Sequence, residues 1–222
     1  MGMIYEKVRS LLHELEGKAK LLLATKERTV QEIQEAIEAG ARIFGENYLQ
    51  EAKGKIEQIG HSVEWHFIGS IQRRKIKNIV ELFDVIESVD SIEIAQIVDE
   101  FCKKYGKVMS VLIEVNSGKE PQKSGVMPED VVDVAKAIKK FKNIKFAGLM
   151  TMGPNLPNPE DLRPYFRLTH ELFLQLKNEG LFDVDEPILS MGMSSTFRIA
   201  IEEGANLVRI GTLVFGERNK KG

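Results

Sequence analysis

Along the 222 residues, short apolar or β-branched runs alternate with longer stretches in which apolar side chains recur at helical spacing. The short runs fall at residues 20–24, 41–44, 65–68, 84–89, 108–115, 145–150, 188–191 and 207–210, which makes eight candidate strands. Amphipathic patterns lie between them, among others at 30–39, 92–105, 128–141, 159–178 and 197–203. A strand that feeds a helix again and again builds a parallel sheet. With an extra N-terminal helix near residues 3–16 set aside, about 205 residues shared by eight units leave about 26 each, short but workable for an α/β fold of the (β/α)8 TIM-barrel type. A doubly wound open sheet is the alternative. It would carry a glycine-rich turn after its first strand, whereas LLLATKERT has no glycine. No Pro/Gly/Ser-rich linker divides the chain, so residues 1–222 read as a single domain.

A barrel places its reacting groups at the C-terminal ends of its strands. Those positions hold Lys26, Glu46, Asn47, His66, Asn116, Thr151, Ser194, Ser195, Gly211 and Thr212. Lys26 ends an apolar strand, where an amine shielded from water is available as a nucleophile toward aldehydes; an ordinary solvated lysine is the competing reading. The seventh and eighth strands run into Met191-Gly192-Met193-Ser194-Ser195 and Arg209-Ile210-Gly211-Thr212. In such barrels these turns build the recurrent phosphate site, although Ser194 and Ser195 also suit the start of the following helix. A lysine and a phosphate cradle in one mouth suggest pyridoxal 5′-phosphate (PLP). Arg209, inside the eighth strand, either faces the pyridine nitrogen of such a ring or pairs with a barrel carboxylate.

Charge narrows the range of partners. Thirty-one basic against thirty-three acidic side chains leave a net charge of −2, with no broad footprint for nucleic acid or an anionic membrane. The basic stretch QRRKIKN at 72–78 reads as a solvated helix face. A single cysteine, Cys102, allows no disulfide within the chain and no thiolate metal cluster, and it suits a buried place on an amphipathic helix. The N-terminal stretch has no continuous apolar core of a secretory signal, and no run approaches the length of a membrane span, so a cytoplasmic protein is expected.

Seven segments then spell a family: Ala24-Thr25-Lys26, Phe44-Gly45-Glu46-Asn47-Tyr48, Trp65-His66-Phe67-Ile68-Gly69, Gln122-Lys123-Ser124-Gly125, Gly148-Leu149-Met150-Thr151-Met152, Met191-Gly192-Met193-Ser194, and Val208-Arg209-Ile210-Gly211-Thr212 with Phe215-Gly216-Glu217-Arg218. In this order they resemble the pyridoxal phosphate homeostasis proteins, also called the YggS or PROSC family, from about residue 20 to residue 218. The resemblance implies a fold-type III barrel similar to the N-terminal domain of alanine racemase, with Lys26 forming the Schiff base to PLP. It implies phosphate binding by Met193, Ser194, Gly211 and Thr212, with Ser195 in the same turn, and Arg209 near the pyridine nitrogen. Asn47 and His66 match motif positions lining the pocket, though a packed, hydrogen-bonded His66 fits its strand as well. Three features depart from the family pattern: Ala24-Thr25 precedes the lysine where Val-Ser is common, Thr196 stands where an acidic residue is usual, and Ile71 and Arg74 replace a frequent Leu and Asn.

A racemase of this fold needs a second base on the opposite face of its substrate, usually a tyrosine. Tyr5, Tyr48, Tyr105 and Tyr165 all fall in helical-looking stretches, and only LVFGERNKKG follows Thr212. The expectation is therefore a PLP carrier with no catalytic residues and little or no turnover, acting in vitamin B6 homeostasis. It would release PLP to PLP-dependent apoenzymes, with Lys123 of the loop GKEPQKSGV as an intermediate acceptor. A monomer is expected. The alternative is a weak amino-acid racemase, and a third reading is a regulatory module in which the cofactor is only structural.

Overall fold

The computed structural model describes residues 2–217, so Arg218 of the last motif lies outside the described residues. Strands β1 (Lys20–Ala24), β2 (Ile43–Glu46), β3 (Glu64–Phe67), β4 (Val85–Val89), β5 (Met109–Glu114), β6 (Ile144–Met150), β7 (Ile188–Ser190) and β8 (Leu207–Ile210) are parallel and pair in chain order. Leu23 of β1 stands opposite both Phe44 of β2 and Ile210 of β8, and that double pairing closes the TIM barrel. Closure leaves no free sheet edge.

Helices α1 (Met3–Leu15), α2 (Val30–Glu38), α3 (Leu49–Ile59), α4 (Ile76–Leu82), α5 (Ile92–Tyr105), α6 (Val131–Ile138), α7 (Arg163–Asn178), α8 (Phe197–Glu202) and α9 (Thr212–Phe215) alternate with the strands. Local chemistry sets their limits. At the start of α2, the Thr29 hydroxyl accepts from the Glu32 N–H while the Glu32 carboxylate accepts from the Thr29 N–H, a reciprocal cap. Ser91 caps α5, and Gly106, at φ +61°, ends it in the left-handed conformation that glycine tolerates best. Cys102 is buried on that helix as expected, and burial pushes its thiol up to about 11.

The main apolar core lies between strands and helices and includes Val8, Ile33, Phe44, Trp65, Ile79, Val98, Phe146 and Phe166. The barrel interior is different. Its inward positions include His66, Glu87, Ser190 and Arg209, all buried. Several expected elements differ in place, among them the 159–178 pattern, which divides into a 3₁₀ turn at Pro159–Leu162 and helix α7. The second strand begins at Ile43 and runs through Gly45 to Glu46, because the Glu46 carboxylate is buried and neutralised by Lys55. The 128–141 pattern divides into a 3₁₀ turn at Pro128–Asp130 and the shorter helix α6.

Candidate functional site

The end of β1 is anchored from below. Lys55 of α3 donates to the Thr25 carbonyl and to Glu46 Oε1, both at 2.6 Å, and the Thr25 hydroxyl donates to the same carboxylate oxygen at 2.6 Å. Gly45 lets β2 lie close, since a Cβ there would stand 2.6 Å from Leu22 Cδ2 and 2.9 Å from Ile68 Cδ1. Lys26 emerges from this anchored strand at the mouth. Its amine donates to the Tyr48 hydroxyl at 3.1 Å, lies 4.6 Å from the centre of that ring and stands 4.0 Å from the Glu27 carboxylate. Tyr48 directly follows β2 and Asn47 and is half exposed, so one tyrosine does stand at a strand end, against the expectation. Its place was hidden because the residues after it form a helix.

Beside Lys26 a pocket of about 340 Å³ opens at the C-terminal mouth of the barrel. Asn47, Met193, Ser194, Ser195, Arg209, Gly211 and Thr212, all expected from the sequence, line it, together with Ala24, Ile68 and Met152. Lys26 is not among the lining residues; it follows Ala24, which is, by two positions. The turn after β7 is shaped by Gly192, at φ +87°, where a Cβ would approach Ala200 Cβ to 2.6 Å. Thr196 closes that turn by accepting the Met193 N–H at 3.0 Å, a task for a hydroxyl at the position where an acidic residue was expected. The N-cap of α8 is Thr196 rather than either serine, and it makes no side-chain cap bond. Ser194 serves the other turn instead: its hydroxyl accepts from the N–H groups of Gly211 at 3.2 Å and Leu213 at 3.3 Å. The two turns are thus tied together around the pocket, and Arg28 fastens the second by donating to the carbonyls of Phe215 at 3.1 Å and Gly216 at 2.5 Å.

Arg209 forms part of the pocket floor. Its guanidinium donates to the Ser190 hydroxyl at 2.6 Å and to the Thr151 carbonyl at 2.9 Å, and stands 3.9 Å from Glu87. Arg209 thus lines the pocket and has the barrel carboxylate of Glu87 nearby. His66, like Lys26, is not among the residues that line the pocket. It is fully buried beneath the pocket between Glu87, 2.6 Å from Nδ1, and Glu64, 2.9 Å from Nε2, because its strand turns that position inward toward two carboxylates. Burial alone would push the imidazole down, but the hydrogen bonds and charges of Glu64 and Glu87 outweigh it and raise it to about 9. Glu87 and Ser190 were missed; the signal was there, a polar residue inside each of the strand runs VIESV and ILS.

A second cavity, of about 510 Å³, shares Met152, Met193 and Ser195 with the first. Glu114 lines it, and its burial, opposed by Arg209 and reinforced by Asp90, pushes the carboxyl up to about 7. Lys123 lines it too, with its amine 2.5 Å from Glu120 and 3.3 Å from the Gly153 carbonyl.

Residues 2–219 match the family model for the N-terminal domain of alanine racemase. The pyridoxal phosphate homeostasis protein of Aquifex aeolicus is 45% identical over 204 residues, 91% of this chain and 89% of that one. That of Pasteurella multocida is 38% identical over 207 residues, 92% and 88% of the two chains. The chain belongs to the pyridoxal phosphate homeostasis protein family. Among solved structures, PipY of Synechococcus elongatus with PLP bound is 30% identical, with a TM-score of 0.87 over 96% of this family member and 100% of PipY. An alanine racemase of Clostridium difficile, 17% identical, has a TM-score of 0.79 and is covered over 60% of its length, a likeness of fold.

Proposed function

We propose that the chain binds pyridoxal 5′-phosphate at the barrel mouth and acts in its intracellular homeostasis, held on Lys26 and released to acceptors, with little or no turnover. The observation that carries this reading is the meeting of the fixed Arg209 guanidinium and the two tied turns in one pocket, which Ala24, two residues before Lys26, also lines. These residues fit the cofactor. The Ser194 hydroxyl, whose oxygen accepts from Gly211 and Leu213 and whose proton can be donated, and Thr212 would hold a phosphate, and Arg209 would donate to an unprotonated ring nitrogen. Asn47 lines the same pocket. When bound, the cofactor supplies an aldehyde that condenses with the Lys26 amine; water leaves, a carbon–nitrogen double bond forms, and water or a second amine can reverse it.

Low turnover is supported by the place of Tyr48. Racemisation needs two proton-carrying groups on opposite faces of a substrate carbon. Lys26 and Tyr48 are in mutual contact at 3.1 Å, so they serve one side of the site together. Met152, Met193 and Thr212 are exposed on the pocket wall, and water that reaches the mouth favours hydrolytic release over protected chemistry. On this reading the protein is a cytoplasmic monomer of one domain that passes PLP to PLP-dependent apoenzymes. No helix among the described residues is long and apolar enough to cross a membrane.

Adding PLP to the purified protein, reducing with borohydride and mapping the peptides tests the site. A shifted absorption band with the label on Lys26, both lost in Lys26→Ala, is expected. Labels scattered over surface lysines, unchanged in Lys26→Ala, would refute the assignment.

A further inference from the structure

A continuous polar path crosses the barrel from its N-terminal end to the pocket floor. It begins at Glu64, the first residue of β3 and half exposed, and passes to His66 at 2.9 Å and on to Glu87 at 2.6 Å. The Ser190 hydroxyl donates to the other oxygen of Glu87 at 2.6 Å and accepts from Arg209 at 2.6 Å. His66, Glu87 and Ser190 are essentially without exposure, Arg209 is 4% exposed, and of these five residues only Arg209 lines the pocket.

The chemistry of the partners fixes the direction of each hydrogen. A guanidinium only donates, so the Ser190 oxygen accepts from it and the Ser190 proton is directed to Glu87. Both imidazole nitrogens face carboxylate oxygens, which accept, so both carry protons and the ring is an imidazolium. Charges then alternate along the path: Glu64 negative, His66 positive, Glu87 negative, Arg209 positive. A buried charge without an opposite neighbour would be costly, and here each has one. The charged groups around His66 are Glu64 on its own strand, Glu87 on β4 and, beyond Ser190, Arg209 on β8.

We propose that His66 and Glu87 are positioning residues for Arg209: the imidazolium holds Glu87, Glu87 orients the Ser190 hydroxyl, and that hydroxyl fixes the guanidinium toward the ring nitrogen of the ligand. The proposal rests on the reading of the pocket as a PLP site. It adds that the electronic state of the bound ring is set from the far end of the barrel, through residues that never touch it. Loss of the imidazolium charge leaves Glu87 with a surplus negative charge one hydroxyl away from Arg209, which draws the guanidinium down and away from the pocket.

Three measurements test this. In the cofactor-free protein, imidazole nitrogen NMR is expected to show one of the four histidines doubly protonated at pH 8, with its signal missing in His66→Gln. In the loaded protein, the absorption band is expected to change through about pH 9 in the wild type and to be flat there in His66→Gln. PLP affinity is expected to fall about tenfold in His66→Gln and in Ser190→Ala, roughly the loss of one charge-assisted contact, with borohydride labelling still on Lys26. Should His66→Gln fail to fold, Ser190→Ala cuts the path with the removal of a single oxygen. A neutral His66 at pH 8, or affinities within twofold of wild type alongside a pH-insensitive band, would overturn the positioning role. Absence of any Lys26-dependent band in the wild type would instead overturn the PLP reading itself, and the positioning role with it.

Discussion

Gly192 shows how much of the site depends on single atoms. At φ +87° it occupies backbone space that an L side chain enters at a cost of about 1–2 kcal/mol, and a Cβ would press on Ala200 and on the Phe197 backbone, 2.6 and 2.9 Å away. Gly192→Ala is therefore expected to lower stability by more than that strain alone and to weaken PLP binding, as read by thermal denaturation and by titration of the absorption band. Thr196 makes a milder test. Its hydroxyl is the partner of the Met193 N–H, and Thr196→Val is expected to cost about 1–3 kcal/mol by leaving that donor unpaired. At this scale the sequence pointed to Asn47 and Ser194, polar residues just beyond strand ends, and both line the pocket. It was least informative for His66, since a spacing of two along a strand says which way a side chain points but not how deep it lies. Tyr48 escaped for a related reason: one residue separates a strand end from a helix start, and periodicity does not resolve one residue.

Among the elements, the junction of β1, β2 and α3 bears most directly on function, because it fixes the strand that carries Lys26. Lys55 reaches from α3 to the Thr25 carbonyl and to the buried Glu46 carboxylate, whose Oε2 has no hydrogen-bond partner. Lys55→Met would leave that carboxylate unpaired, and a loss of about 3–5 kcal/mol is expected. The double variant Lys55→Met with Glu46→Gln should recover part of it, which denaturant unfolding of both proteins would reveal. The same ion pair explains why β2 extends beyond its apolar run. A glycine and a glutamate after Phe44 look like the start of a turn, yet they continue the strand because a lysine nine residues later neutralises the charge. Helix α5, with its own serine cap and glycine stop, lies where the pattern placed it, at Ile92–Tyr105. Elements whose limits are encoded locally were legible, whereas those set by a distant partner were not.

For the whole molecule, the barrel stores charge in its interior rather than only at its mouth, and this makes stability depend on pH in a definite direction. The folded state raises the His66 imidazole from its ordinary 6.5 to about 9. Its contribution is complete below about 6.5, declines as pH rises from there toward 9, and is lost once pH passes about 9. The unfolding temperature should therefore fall more steeply between about pH 6.5 and 9 in the wild type than in His66→Gln; parallel curves would contradict this. The closed barrel was legible from eight alternating runs, but the polar path inside it was not, since it joins residues on β3, β4, β7 and β8 that only closure brings together.

Reversible custody of PLP at Lys26, as proposed above, is open to a direct transfer measurement. The protein is loaded, freed of excess cofactor and mixed with a PLP-requiring apoenzyme, while its absorption band and the acceptor's activity are followed together. The band is expected to disappear as acceptor activity returns, mole for mole, and D- and L-amino acids offered to the loaded protein alone are expected not to be racemised. A band that persists beside an inactive acceptor, together with racemisation of the amino acids, would contradict it.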